Sequence, residues 1–135
     1  MDKNLDKAMN YCSRAEHCVE DVRQKLWAWK VPEEEHDAII ETLIENNFID
    51  ESRYAEAFVN DKFRFNHWGR VKISMMLRTK KIGVAIIGNA ISRIDDDEYI
   101  EVMKNLIETE YKRIKSSSDY ERKAKLMRFI VSRGF

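Results

Sequence analysis

Ile73-Ser74-Met75-Met76-Leu77-Arg78-Thr79-Lys80-Lys81-Ile82 carries apolar residues at 73, 77 and 82, spaced by four and then five. A four-residue step is one turn of a helix face. The same spacing occurs 51 positions earlier at Val22, Leu26 and Val31, and 53 positions later at Leu126, Ile130 and Phe135. The helix that follows repeats too, with Ile40 and Leu43 against Ile91 and Ile94, again 51 apart. Self-similarity at a fixed period, with each copy reading helix, helix, turn, helix, predicts a stack of small helical units that bury one another's stripes. The fold class is therefore all-α, as tandem three-helix repeats over residues 1–50, 51–95 and 96–135. The third copy holds two helices, because its third would begin where the chain stops at Phe135. A natural chain that continues past Phe135 is expected, with a dimer covering the exposed surface as the other account.

The local signals agree with this reading. Leu5, Ala8, Met9 and Cys12 mark a first amphipathic helix, and Val19, Val22, Leu26 and Trp29 a second. Pro32 followed by Glu33-Glu34-Glu35 starts a third, whose predicted core stripe is Ile40, Leu43 and Ile44. Asp50 or Ser52 caps a fourth helix carrying Tyr54, Ala55, Phe58, Val59 and Phe63. A fifth carries Ile73, Met76 and Leu77, and a sixth Ile87, Ala90, Ile91 and Ile94. Asp95-Asp96-Asp97-Glu98 opens a seventh with Tyr99, Val102, Met103, Leu106, Ile107 and Ile114 on one face. The eighth follows Ser116-Ser117-Ser118-Asp119 and stops at Gly134.

Composition narrows the function classes. The chain has 135 residues, 36% charged and 44% hydrophobic, with four Gly and one Pro, too few turn residues for a sandwich or barrel. No phosphate loop can be written from Gly69, Gly83, Gly88 and Gly134. No apolar run reaches the roughly 18 residues of a membrane span. Cys12 and Cys18 make no disulfide framework, which fits a cytoplasmic chain with reduced thiols. Cys12, His17, Cys18 and His36 lack the short pair spacing of a zinc site. No Ser–His–Asp order, nucleophile elbow or His-Glu-x-x-His is present, so no enzyme, cofactor or metal is expected.

The 24 basic and 24 acidic residues cancel in sum but not in place. Residues 1–61 hold 15 acidic and 7 basic residues, a net of −8. Residues 62–94 hold 8 basic residues and no acid. Residues 112–133 hold 8 basic residues against Asp119 and Glu121, a net of +6. A long run of cations without a carboxylate is the footprint of an anionic partner. The candidate face is Lys62, Arg64, Arg70, Lys72, Arg78, Lys80 and Lys81, with Arg122, Lys125, Arg128 and Arg133 from the last helix. Helical spacing predicts that Arg70, Arg78 and Lys81 point together. The aromatics around Arg64 and Arg70 could stack bases, but Phe63 and Trp68 are read as pins for the loop between helices. Trp27, two residues from the core residue Trp29, is expected to be exposed as a possible interface anchor.

Four pieces, in order, resemble the bacterial RecX regulators. They are Phe48-Ile49-Asp50-Glu51-Ser52-Arg53-Tyr54-Ala55, Ser13-Arg14-Ala15-Glu16-His17 before Val22 to Leu26, and Lys62 with Gly69-Arg70-Val71-Lys72-Ile73 and Leu77. The fourth is the ending Leu126, Arg128-Phe129-Ile130 and Arg133-Gly134-Phe135. In the first piece the signature residues are Phe48, Ile49, Asp50, Arg53, Tyr54 and Ala55. The likeness covers about residues 5 to 135. It implies an elongated, curved, monomeric stack without enzymatic activity. It implies binding to the RecA recombinase filament, with single- or double-stranded DNA reached through that filament. Inhibition of strand exchange, ATP hydrolysis and the coprotease activity behind the SOS response is the usual outcome. Two departures carry expectations of their own. Cys18 stands where the family has a Ser or Thr cap, so a weaker helix start is expected. Lys30 and Lys81 stand where a glycine is usual, which argues against a left-handed turn there. Two other classes stay open: a free-standing helical nucleic-acid-binding protein, and a structural helical adaptor.

Overall fold

The computed structural model describes residues 2–135, and among these every regular element is a helix. In order they are α1 (Asp2–Arg14), α2 (Val19–Ala28), α3 (Glu33–Glu45), α4 (Glu51–Arg64), α5 (Arg70–Thr79), α6 (Val84–Ile91), α7 (Asp96–Arg113) and α8 (Asp119–Ser132). The starts follow from capping chemistry. Asp50 Oδ1 accepts from the Arg53 amide at 3.1 Å, Asp95 from Glu98 at 2.9 Å and Ser118 from Glu121 at 3.3 Å.

Two apolar clusters hold the first six helices. Ala8, Cys12, Val22, Leu26, Val31, Ile39, Ile40, Leu43 and Ile49 form one, under α1–α3. The other gathers Tyr54, Ala55, Val59, Phe63, Ile73, Leu77, Ile82, Ile87, Ala90 and Ile94 under α4–α6. Cys18 belongs to this second cluster although it precedes α2. The pair α7 and α8 pack on each other, with only Glu110 of α7 and Ile130 of α8 buried.

The four-and-five spacing has a common physical meaning in all three copies. The amide of the last apolar residue bonds back to the carbonyl of the middle one: Val31 to Leu26 at 2.9 Å, Ile82 to Leu77 at 3.2 Å, Phe135 to Ile130 at 3.3 Å. Each turn passes through a left-handed residue, Lys30 (φ 59°), Lys81 (φ 60°) and Gly134 (φ 93°). The turn therefore forms at Lys30 and Lys81 despite the absence of glycine, because Val31 and Ile82 are buried by making it.

Several sequence expectations are corrected in detail. Ile44 is exposed and Ile39 takes its place in the core, because α3 turns the His36, Ile39, Ile40, Leu43 stripe inward. Met76 is exposed as well; only Ile73 and Leu77 of α5 are buried. Ile94 lies beyond the end of α6 and Trp29 at the end of α2, though Ile94 is still in the core. The α7 stripe from Tyr99 to Ile107 is half-buried rather than core. Cys18 gives α2 no oxygen cap, yet the helix does not start unsatisfied, because the Cys18 thiol and the Asp21 carboxylate form a reciprocal capping box across its first turn. Asp21 accepts the Cys18 amide at 3.4 Å, and Glu51 of α4 accepts the Val19 amide at 3.2 Å.

Candidate interaction surface and the seams that position it

Most of the cations between residues 62 and 94 face carboxylates of the neighbouring helices. Lys80 Nζ donates to Asp21 Oδ1 at 2.6 Å, and Lys81 Nζ sits 3.5 Å from Glu20, both on α2. Asp21 is the centre of this seam, because it also accepts from His17 Nδ1 at 3.3 Å and its side chain is only 12% exposed. Burial pushes its carboxyl up, but the Lys80 hydrogen bond and charge, with His17 and the Cys18 amide, outweigh that and leave its pKa below the ordinary value. Glu51 is displaced the other way: burial raises it, the Val19 amide lowers it, and Asp21 adds repulsion.

The signature residues sit on the same seam. Arg53 reaches from α4 to Glu16 with Nε 2.7 Å from its carboxylate, and its Nη2 donates to the Asn47 carbonyl at 2.9 Å. Asp50 caps α4; Ile49, Tyr54 and Ala55 are buried, and Phe48 packs on the first cluster. The Phe48-to-Ala55 run thus joins the first three helices to the second three.

The other seam joins α4 and α5 to α7 and α8. Arg64 pairs with Glu98 at 2.5 Å, and Arg70 with Asp96 at 2.6 Å while its guanidinium lies over Tyr99, 4.1 Å from the ring centre. The Arg70 amide donates to the Tyr99 hydroxyl at 3.1 Å, and Tyr99 in turn packs on Phe63 and Phe135. The start of α5 is closed by the end of α8: Gly69 N–H donates to the Arg133 carbonyl at 2.6 Å and Val71 N–H to the Gly134 carbonyl at 3.0 Å. Positive and negative helix ends meet there.

These seams split the eleven candidate cations. Arg64, Arg70, Lys80 and Lys81 are tied to carboxylates of other helices, and Lys125 to Glu121 one turn away at 3.2 Å. Arg70 and Lys81 are drawn to α7 and α2 respectively, so Arg70, Arg78 and Lys81 do not form one cationic cluster. Six have no carboxylate partner among the described residues: Lys62, Lys72, Arg78, Arg122, Arg128 and Arg133. Three of these collect at the α4–α5 connection. Lys62 and Lys72 stand 4.9 and 4.3 Å from the centre of the Trp68 ring, and Arg133 Nη1 donates to the Asn66 carbonyl at 3.1 Å. Trp68 itself packs against the second cluster, as does buried Phe63, so both pin the connection. Arg122 is turned inward to the Tyr111 carbonyl, 2.6 Å from Nη2, while Arg78 and Arg128 are exposed. Trp27 is 48% exposed.

The roles of three residues that matter here are not visible in the sequence. Asp21 and Glu51 gave no signal beyond charge, and His36 is fully buried, donating from Nε2 to the Val31 carbonyl at 3.0 Å. Cys12 and Cys18 are buried free thiols whose pKa burial pushes up to about 11, which keeps them protonated and unreactive. No cluster of three or more metal-ligating side chains occurs among the described residues, and no helix is long and apolar enough to cross a membrane.

The Lys80–Asp21 contact has a pH signature. A carboxyl with a lowered folded pKa stabilises the fold above its unfolded pKa, and that stability is lost as pH falls through the folded pKa. Lys80→Met is therefore expected to cost about 1 kcal/mol at neutral pH, discounted for the partly exposed lysine. The difference from the parent chain should vanish once Asp21 is protonated in both. Urea denaturation of the two proteins from neutral to strongly acidic pH measures it; a difference independent of pH would refute the pairing.

Comparison with known proteins agrees with this architecture. The family description "RecX, second three-helix domain" matches residues 50–91, the segment of α4, α5 and α6. A regulatory protein RecX of Lactobacillus johnsonii is 30% identical over 131 residues, covering 97% of this chain and 48% of that protein. One from Ralstonia pickettii is 29% identical over 129 residues, covering 96% of this chain and 78% of that protein. The chain thus spans about half the length of the Lactobacillus relative. A crystal structure of a regulatory protein RecX superposes with a TM-score of 0.90 at 25% identity, over 98% of this chain and 66% of that one. With the repeat, the seam signature and the Arg-Gly-Phe turn all in place, the chain resembles the RecX regulatory proteins along nearly its whole length, and its middle unit matches their second three-helix domain.

Proposed function

We propose that this chain is a non-catalytic regulator that binds the RecA–DNA filament and inhibits strand exchange, ATP hydrolysis and coprotease activity. In this reading it is a cytoplasmic monomer built of three successive helical units, 1–50, 51–95 and 96–135, that lies along the filament groove. Similarity to regulatory proteins RecX supports the partner. The observation that carries the mechanism is the trio Lys62, Lys72 and Arg133, cations gathered at one connection with no carboxylate partner among the described residues. Cations left uncompensated by the fold keep their field for an anion from outside. The trio faces the DNA or an acidic surface of RecA, while the paired Arg64, Arg70, Lys80 and Lys81 hold the helical units in register.

The alternative of a free-standing nucleic-acid binder makes the opposite demand. Fluorescence anisotropy of the labelled chain on single-stranded DNA, bare or coated with RecA, separates the two at about 0.15 M salt. Binding to the coated strand at least about tenfold tighter is expected, a difference of about 1.4 kcal/mol. Equal or tighter binding to the bare strand would overturn the filament reading in favour of direct nucleic-acid recognition.

A further inference from the structure

Beside the hydrogen bonds from the start of α5 to Arg133 and Gly134, α5 and α8 leave a groove with apolar walls of Val71, Met75, Met76 and Val131, edged by Lys72, Ser132 and Gly134. Its apolar walls are open: Val71, Met75 and Val131 are each about 60% exposed, and Met127, one turn before Val131, 65%. The repeat supplies an internal control on what the scaffold needs. In the 51-residue register, Val71, Met75 and Met76 correspond to Glu20, Gln24 and Lys25 of α2. The first copy therefore builds the same helix, with the same buried pair, on polar residues at those positions. Packing of the chain does not call for an apolar stripe on α5.

The charge around the stripe is of one sign. Arg78 lies on the same helical face as Val71 and Met75, and Arg128 one turn before Ser132, which also lines the groove. Neither has a carboxylate partner among the described residues, and α5 carries no acidic residue. The two acids of α8 lie in its first turn, where Asp119 and Glu121 are each 3.2 Å from Lys123 and Lys125. An apolar cleft between two helices takes the apolar face of a third helix, and methionines let such a cleft adapt to its contents. A nucleic acid would leave this floor unused, since it offers no aromatic ring for bases.

We propose that the α5–α8 groove docks an acidic amphipathic helix of a partner protein, with its apolar face on the Val71–Met75–Met76 stripe and its carboxylates on Arg78 and Arg128. The partner is named by its chemistry; the groove goes beyond the filament reading and shares with it only Lys72, at its edge. It is tested on the full chain labelled at its methionine methyl groups. The probe is a synthetic amphipathic peptide of about five helical turns, leucine on one face and glutamate on the other, compared with its lysine counterpart. The glutamate peptide is expected to shift the Met75, Met76 and Met127 methyl signals saturably and to leave Met9 unmoved. The lysine peptide should bind at least about tenfold more weakly. The variant V71E/M75Q/M76K, which takes the residues of the first copy, should unfold like the parent and lose at least about tenfold in peptide affinity. Equal binding of the two peptides, or no shift at millimolar peptide, would overturn the proposal. So would shifts that grow with the concentration of the chain alone, which would make a second copy the occupant, or the same shifts with single-stranded DNA.

Discussion

Gly134→Ala is expected to lower the stability of the chain by about 2–4 kcal/mol and to release the end of α8 from α5. Two effects add. The residue sits at φ 93°, where a side chain is strained, and a Cβ there would lie 2.4 Å from the Lys72 Cβ and 2.6 Å from the Lys72 nitrogen. The backbones would have to part, and the Gly69 and Val71 amides would lose the Arg133 and Gly134 carbonyls that close the start of α5. Gly69→Ala separates the contributions. Gly69 has an ordinary φ of −83°, so alanine carries no backbone strain, but its Cβ would lie 2.4 Å from the Gly134 carbonyl oxygen. Denaturant unfolding should show both variants destabilised, Gly134→Ala more so. Faster hydrogen exchange at the Val71 amide should accompany both. A change below about 0.5 kcal/mol in either, the range of neutral surface substitutions, would contradict this contact.

The second large effect is on binding. Lys62→Glu/Lys72→Glu is expected to weaken binding to RecA-coated single-stranded DNA by at least about tenfold while the fold persists, because neither lysine makes an ion pair among the described residues. If both meet phosphates, the log–log salt dependence should flatten by about 0.7 per contact. Lys62→Arg/Lys72→Arg should restore most of the affinity, since charge is kept. Thermal unfolding of the glutamate variant guards against a trivial loss. Unchanged affinity in a folded glutamate variant would move the contact to other cations, and it is the result a purely structural adaptor would give.

The helices were legible because capping and periodicity are local. Asp50, Asp95 and Ser118 act within three residues of themselves, and the four-and-five pattern needs only one turn on either side. The stripe of α3 was misread for an equally local reason: Ile39, Ile40, Leu43 and Ile44 fit two overlapping faces. The choice is made by His36, whose hydrogen bond to the Val31 carbonyl turns the earlier face inward. The left-handed Lys30 and Lys81 show burial of the following residue outweighing the steric preference for glycine. The seams were not legible, because their partners lie far apart in the chain: Lys80 and Asp21 by 59 residues, Arg70 and Asp96 by 26. The cation run without an acid therefore looked like one face. The structure divides it into cations paired with carboxylates of neighbouring helices and cations that have no carboxylate partner among the described residues.

The account stands most directly on RecA's ATP hydrolysis on single-stranded DNA, titrated with this chain. A fall in rate at well below one molecule per RecA protomer is expected, with the Lys62→Glu/Lys72→Glu variant needing far higher concentrations for the same effect. An unchanged rate up to a large excess of folded protein would contradict the regulator reading.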